Sequence, residues 1–389
     1  MSTDEYYTCF ASRKDQMLTS DQYYILNMLR KSLIPQYVET SVYTDANKVE
    51  NIVLRNGILL TVYKKLSDDL QKWLKDKYLT AVANAIIQEY EGNQVLKHLS
   101  DAGLNCIALK GWELLKLYPE QTMRQMADLD ILVKPYKYEK IKSIMAEIGF
   151  SCESESAWKH DSFKKNKVHV EMHKRLTDDS RSIQRWERGI WDRASRIEDN
   201  VFRMSPEDFY IFHFVHLYKD FMNGSLGLRR IVDTWLLQKQ PVDMSVVRNT
   251  LASFEMWKFH ERMVKLSQVT MGDEPIDKDS EVLLKHAFTH GIYGSDKSYK
   301  AGRIAAMGGS LKRGKLQSKI AAVFLPYARM KAQYPVLEKC PVLLPYCWGK
   351  RIIRYARGNT KKYRYMMDYS NVGEDDYIEI KNFFEAGGV

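Results

Sequence analysis

The first chemistry the chain offers is a pair of aspartates, Asp128 and Asp130, inside the apolar run RQMADLDILV at residues 124–133. An uncompensated carboxylate costs several kcal/mol to bury, so core strands avoid such a pair. Strand alternation puts Asp128, Asp130 and Leu132 on one face, and Ala127, Leu129, Ile131 and Val133 on the other. Two acids on one face repel unless a cation lies between them. Mg²⁺ takes oxygen ligands and is commonly held by one or two carboxylates together with substrate phosphates. Two such ions, roughly 3.5–4 Å apart, activate an attacking oxygen and stabilise a leaving one. A site of that kind wants a third carboxylate from a neighbouring strand. KVHVEMHK (167–174) offers Glu171 on a face with His169 and His173, while Val168, Val170 and Met172 face the other way.

The bland alternative is a solvated strand edge, since an Asp-x-Asp triplet alone is common. The residues flanking Asp128 and Asp130 are too hydrophobic for an edge. Seventeen residues before Asp128, the apolar strand NCIALKG closes on Gly111. A strand ending in glycine and opening a helix turns backbone N–H groups towards a phosphate.

These residues must be positioned by a core that the periodicity outlines. Residues 14–103 read as helix, in TSDQYYILNMLRKSLI and again from Leu70 to Leu99, until Asp101, Ala102 and Gly103 break the run. NCIALKG is a strand, WELLKLYP a brief helix and ADLDILV a strand. Pro135 interrupts it before the amphipathic YKYEKIKSIMAEIG, with Gly149 as C-cap. FSCESES, DSFKK and KVHVEMHKR alternate like strands, with KNK at a hairpin turn. From residue 180 onwards the chain reads as helix to its end. Ser205, Pro206 and Glu207 start one helix, GSLG ends it, and LRRIVDTWLLQK begins another. The expectation is an α+β fold: a small mixed sheet with helices on one side, flanked by an N-terminal and a larger C-terminal helical region. Its parts are a helical segment (1–100), the sheet core (101–180), a helical domain closing the site (181–295) and a basic helical region with an acidic tail (296–389).

The 389 residues, 45% hydrophobic, suffice for real cores and exclude a disordered chain. No apolar run reaches the roughly 18 residues of a membrane span, and the N-terminus lacks the apolar core of a signal peptide, so a cytoplasmic protein is expected. The five cysteines, Cys9, Cys106, Cys152, Cys340 and Cys347, are scattered and never spaced as CxxC. Reduced thiols are expected rather than a structural zinc site. The net charge is +10, yet residues 297–364 carry seventeen Lys and Arg against Glu338 alone, so the remainder is acidic overall. That stretch, which includes WGKRIIRYARGNTKKYRY, fits a solvated surface, an RNA-binding patch or a stripe on anionic lipid.

The glycine-ended strand, the hDhDh strand and the later h[DE]h strand resemble the core pattern of the DNA polymerase β-like nucleotidyltransferase superfamily. The match is closer to its branch of uncharacterised bacterial nucleotidyltransferases, of the form LKG…YP…R.M.DLDLLV…VEIH. Here that reads Leu109-Lys110-Gly111, Tyr118-Pro119, Arg124 and Met126, Asp128-Leu129-Asp130-Ile131-Leu132-Val133, and Val170-Glu171-Met172-His173. HFVHLYKDF with GLRRIVD, and YPVLEKCPVLLPYCWGKR, are similar to later segments of the branch, so the resemblance runs over about residues 45 to 355. It implies a Mg²⁺- or Mn²⁺-dependent transferase that moves a nucleoside monophosphate from an NTP, such as ATP, to an acceptor. Asp128, Asp130 and Glu171 would be catalytic metal ligands, Glu171 also the base for the acceptor proton. Gly111 would let the backbone approach the triphosphate, with Lys110 and Arg124 supplying phosphate charge. One departure is Trp112, where the superfamily has a small residue after the glycine; Lys110 is the candidate to replace the missing contact.

Further residues read both ways. His213, His216 and Asp220 have metal-ligand spacing on a helix, but core or cleft histidines show it too. Arg229 and Asp233 fit an intrahelical ion pair; in the functional reading this helix pair closes over the nucleotide, with His216, Lys219 and Arg229 facing phosphates. His173 either orients Glu171 or lies on the surface. The acceptor stays open between a sugar or alcohol phosphate, a protein hydroxyl and an RNA end, the last including tRNA as for toxin-like relatives. The rival readings are a binding protein that has lost turnover, with Trp112 blocking the turn, and a peripheral membrane scaffold.

Overall fold

The computed structural model describes residues 18–38, 45–156, 160–176, 181–272, 274–357 and 368–389. Its centre is a seven-stranded mixed sheet in the order β3-β4-β5-β2-β1-β7-β6. The strands are β1 (Asn105–Ala108), β2 (Leu129–Lys134), β3 (Ser151–Ser154), β4 (His160–Lys165), β5 (Val168–His173), β6 (Ser195–Glu198) and β7 (Val201–Arg203). β2 runs antiparallel to β1 and parallel to β5, and β1 runs parallel to β7. Asn166, with φ 53°, makes the β4–β5 hairpin turn within the expected KNK.

Both faces of the sheet are covered, which corrects the one-sided arrangement expected. Leu129, Ile131 and Val133 of β2 and Val168, Val170 and Met172 of β5 pack against α1 (Asp68–Asp101) and α2 (Tyr138–Glu147). On the opposite face, Ile107, Leu109 and Leu132 meet Ile190, Met204 and Phe212. Phe212 belongs to α3 (Pro206–Met222), capped by Ser205 with Pro206 in its first turn. Gly103 and Gly149, at φ 71° and 87°, end α1 and α2 where the sequence places the breaks.

The second correction is the β6–β7 hairpin, which interrupts the all-helical reading after residue 180. Its turn lies at Asp199, and it reaches the sheet through the Val201 and Phe202 register with Cys106 and Ile107. The helices after it, with residues 18–33 and 46–55, build one large core. That core takes in α4 (Leu228–Leu237), α5 (Trp257–Met271), α6 (Lys278–His290) and the C-terminal α7 (Glu374–Ala386). Residues 325–348 add a small satellite cluster around Met330, Leu337 and Cys347. Much of the basic aromatic stretch at 348–365 lies outside the described residues. Cys106, Cys152, Cys340 and Cys347 are free thiols. Among the described residues, no helix is long and apolar enough to cross a membrane.

Trp112 fixes the turn after β1 to this scaffold. Its indole lies so close to Gly92 on α1 that a Cβ there would meet Trp112 Cζ3 at 2.4 Å. Gly92→Ala must therefore displace the indole or the helix, and overpacking of this kind costs about 1–3 kcal/mol. The expected result is a lower urea midpoint with an unchanged m-value; an unchanged midpoint would show that the indole is not seated there.

Candidate active site

The parallel register of β2 and β5 sets Asp130 directly beside Glu171. Asp128 sits one residue before β2, and oxygens of all three carboxylates lie within 4.8 Å of one another. Asp130 is buried, and both of its oxygens are held. Lys110 Nζ lies 2.9 Å from Oδ2, and His173 Nε2 lies 2.6 Å from Oδ1. The other ring nitrogen of His173 is 3.2 Å from the Arg175 carbonyl. Both partners are acceptors, so both imidazole nitrogens donate and His173 is a cation. Of its two readings, the orienting one is the structure's: the ring is buried and also lies 3.4 Å from Glu171 Oε2. His160, the cross-strand partner of His173, lies 3.3 Å from Glu171 Oε1.

This arrangement splits the acids. Burial raises the Asp128 carboxyl above its ordinary value, and the Asp130 charge pushes it the same way. Burial opposes ionisation of Asp130 too, but Lys110 and His173 outweigh it and hold the carboxyl well below the usual range. Glu171 is lowered against the burial penalty, chiefly by its hydrogen bond with His173.

Lys110 reaches Asp130 from a strained turn. The Trp112 N–H bonds back to the Leu109 carbonyl, and Lys110, at φ 42° and ψ −112°, occupies a corner that normally takes glycine. Strain of this kind costs of order 1–3 kcal/mol. Gly111 serves a different need. A Cβ on it would come within 2.9 Å of Arg124 Nη1 and 3.1 Å of Met126, so any larger residue must displace those side chains where they cross the turn. The amides of Trp112, Glu113 and Leu114 are engaged by the Leu109 and Lys110 carbonyls. Side chains, rather than amides, supply the positive charge here. Trp112 points into the sheet–helix core and does not line the cavity, so it does not block the turn.

Facing the acids across a cavity of about 400 Å³ is a basic wall. It brings together His216 and Lys219 of α3 with Arg229 and Arg230 of α4, so Lys110, Gly111, Arg124, Asp128, Asp130, Glu171, His216, Lys219 and Arg229 all border one space. Arg230 pairs with Asp220 at 2.6 Å. Asp233 is not the partner of Arg229, as the helical spacing suggests. It accepts two hydrogen bonds from Arg124, at 2.7 and 2.8 Å, and one from Tyr118 at 2.9 Å. Arg229 instead donates to the Gln125 carbonyl, and its buried Nε has no hydrogen-bond partner among the described residues. Burial, with Arg124 and Arg230 nearby, pushes its guanidinium down to about 10. His216 is likewise lowered to about 4, first by burial and then by Lys110. His213 lies apart from it, 2.9 Å from the Thr234 hydroxyl, which is the core-histidine reading.

The cavity has members that the sequence reading left out. His160 was legible through the hairpin: pairing Lys165 with Val168 carries the register to His160 and His173. Arg230 stands in the GLRRIVD segment beside Arg229. Tyr293 and Tyr299 form an exposed aromatic rim, 71% and 40% accessible, that no local signal announces. The loop bearing Tyr293 is held by hydrogen bonds from Ile292 N–H to the Arg55 carbonyl and from Ser225 Oγ to the Ile292 carbonyl.

A family model described as an uncharacterised nucleotidyltransferase matches residues 43–272. No curated protein and no solved structure matches the chain.

The Arg124–Asp233 pair is buried and ties the loop before Asp128 to α4. Removing one partner of such a pair strands a buried charge at a cost of about 3–5 kcal/mol. Asp233→Ala should lose that much stability in urea, while Arg124→Met/Asp233→Leu should recover a large part of it. Equal losses in the single and double variants would show that the pair itself is not the fastening.

Proposed function

The chain belongs to the uncharacterised nucleotidyltransferase family, and we propose that its cavity transfers a nucleoside monophosphate from an NTP to an acceptor. The observation that carries this reading is the division of one cavity into a wall of three carboxylates and a wall of basic side chains, in which Arg229 Nε and Arg230 Nε are buried with no hydrogen-bond partner among the described residues. A metal–triphosphate is the ligand class whose charges match both.

Asp128, Asp130 and Glu171 would hold Mg²⁺ or Mn²⁺. Three hard oxygen donors within 4.8 Å suit such an ion, and each Asp130 oxygen keeps a second lone pair beside the one facing Lys110 or His173. A divalent cation there supplies positive charge to the phosphate and attacking oxygens. His173 and Lys110 hold Asp130 ionised and in place. Lys219, Arg229 and Arg230 would take the triphosphate oxygens, and Tyr293 would offer its ring to the base. The acceptor oxygen bonds to the α-phosphorus, the bond from that phosphorus to the bridging oxygen breaks, and pyrophosphate leaves. Glu171 would receive the acceptor's proton. The basic stretch at 297–364 favours a polyanionic acceptor such as an RNA end, whose affinity falls steeply with salt, whereas that of a sugar phosphate changes little.

Calorimetric titration of the four NTPs, with Mg²⁺ and with EDTA, tests the reading. Metal-dependent binding is expected for wild type and lost in Asp128→Ala/Asp130→Ala; equal binding by both would make the carboxylates structural. Base stacking on an aromatic ring contributes about 1–3 kcal/mol, so Tyr293→Ala should weaken binding roughly 5- to 150-fold by that estimate. An unchanged dissociation constant would place the base elsewhere.

A further inference from the structure

A second cluster of ligating side chains lies behind the cavity, where α6 and α7 meet. His286 and His290 stand one turn apart at the end of α6, and Glu379 of α7 reaches both. Glu379 Oε1 is 3.0 Å from His290 Nε2 and 3.9 Å from His286 Nδ1. The rings are 4.3 Å apart, and the ligating atoms lie within 4.8 Å of one another.

An ion pair between His290 and Glu379 accounts for two of the three residues. It leaves His286 unexplained. His286 Nε2 is 3.1 Å from the Gly224 carbonyl, and a carbonyl only accepts, so Nε2 carries the proton and Nδ1 is a bare lone pair. That Nδ1 is fully buried and has no hydrogen-bond partner among the described residues. Phe383 stacks on the ring at 3.8 Å and fixes its direction, with Glu379 Oε1 3.9 Å from the orphaned nitrogen. A buried polar atom left unsatisfied costs about 1–3 kcal/mol unless something fills the place.

We propose that His286 Nδ1, His290 Nε2 and Glu379 Oε1 form a binding site for a divalent transition cation of the zinc class, with water completing the shell. Two imidazoles and one carboxylate are a donor set for such an ion, not for Mg²⁺ or Ca²⁺. Bonds of about 2.0–2.1 Å in a tetrahedron put ligand atoms roughly 3.3 Å apart, a spacing that the 3.0 and 3.9 Å separations bracket. The hydrogen bond from His286 to Gly224 is the outer contact that sets the tautomer of a ligating histidine. A void of about 20 Å³ borders these residues, room for one ion or water. Lys297, on its rim, is neutralised by Asp376 at 2.7 Å.

The cation would brace one wall of the cavity. α6 runs through Gly291 into the loop bearing Ile292 and Tyr293, and Gly224 lies between Asn223 and Ser225, all of which except the two glycines line that space. Clamping α6 to α7 therefore fixes the aromatic rim from behind.

Cobalt(II) titration of the chelator-treated full chain tests the site. The background is Glu171→Gln, which removes the residue shared by both ligating clusters in the cavity. This protein should bind one Co²⁺ with visible absorption bands of a low-coordinate nitrogen–oxygen site. Adding His290→Ala, or the isosteric Glu379→Gln if the alanine variant does not fold, should abolish the bands and the bound equivalent. Zn²⁺ should raise the melting temperature of the Glu171→Gln protein and not that of the double variants. A Glu171→Gln protein that takes up no Co²⁺, or double variants that bind as it does, would overturn the proposal.

Discussion

The site depends on one constraint: Asp130 is buried and ionised, so each of its oxygens must be met by a cation. Lys110 meets one and His173 the other. A buried carboxylate with one cation removed would be strongly destabilising, which is why neither partner is left to find its own position. Lys110 is aimed by a turn with positive φ, and His173 by the Arg175 carbonyl and the β5 register. Asp128, one residue outside the strand and less buried, has no such direct partner among the described residues, and Lys110 and Arg230 act on it from a distance. The cluster thus holds one carboxylate between two cations and leaves another without a cation in direct contact.

The opposite wall is built on the converse imbalance. Arg124, Arg229 and Arg230 crowd together, with Asp233 and Asp220 as their nearest acids. Asp233 is consumed by Arg124 and Tyr118 in the interior, and Asp220 is shared between Arg230 and His216. Arg229 is left with a carbonyl and a buried Nε that no described residue satisfies. The surplus positive charge faces the surplus negative charge across the cavity. The Arg124–Asp233 pair fastens the loop before Asp128 to α4 and so fixes one wall relative to the other.

Much of this was legible because strand alternation is strict. A face shared by Asp128 and Asp130, and another by Glu171 and His173, follow from the period of two, and the structure keeps both. Pairing of Asp130 with Glu171 follows once β2 and β5 are neighbours. The β6–β7 hairpin was not legible: all four residues of β6 are exposed, so SRIE carries no apolar alternation. It forms because Asn200 bonds to Ser100 and to the Cys106 N–H, contacts almost a hundred residues away. The partner of Asp233 was misread for a related reason. Helical spacing nominates Arg229, but Arg124 presents a planar fork from a separate loop, and bidentate geometry wins over proximity along a helix.

The aromatic rim shows where local reasoning stops and what lies beyond it. The carboxylates and arginines fall inside residues 43–272, the span shared with the family, whereas Ile292, Tyr293 and Tyr299 lie after it. Charge on a triphosphate is the same whatever the base or acceptor, so the charged walls can be common to many members. Discrimination needs surfaces that meet the uncharged parts of the ligands, and in the proposed reading the α6-to-α7 region would supply them. Their position is set by Gly227, whose Cβ would clash with Ile292 backbone at 2.6 Å, and by the Arg55 carbonyl. Residues from three distant parts of the chain therefore fix one loop, and in the proposed reading the selectivity of the site would belong to the packing of the helical region as much as to the sheet.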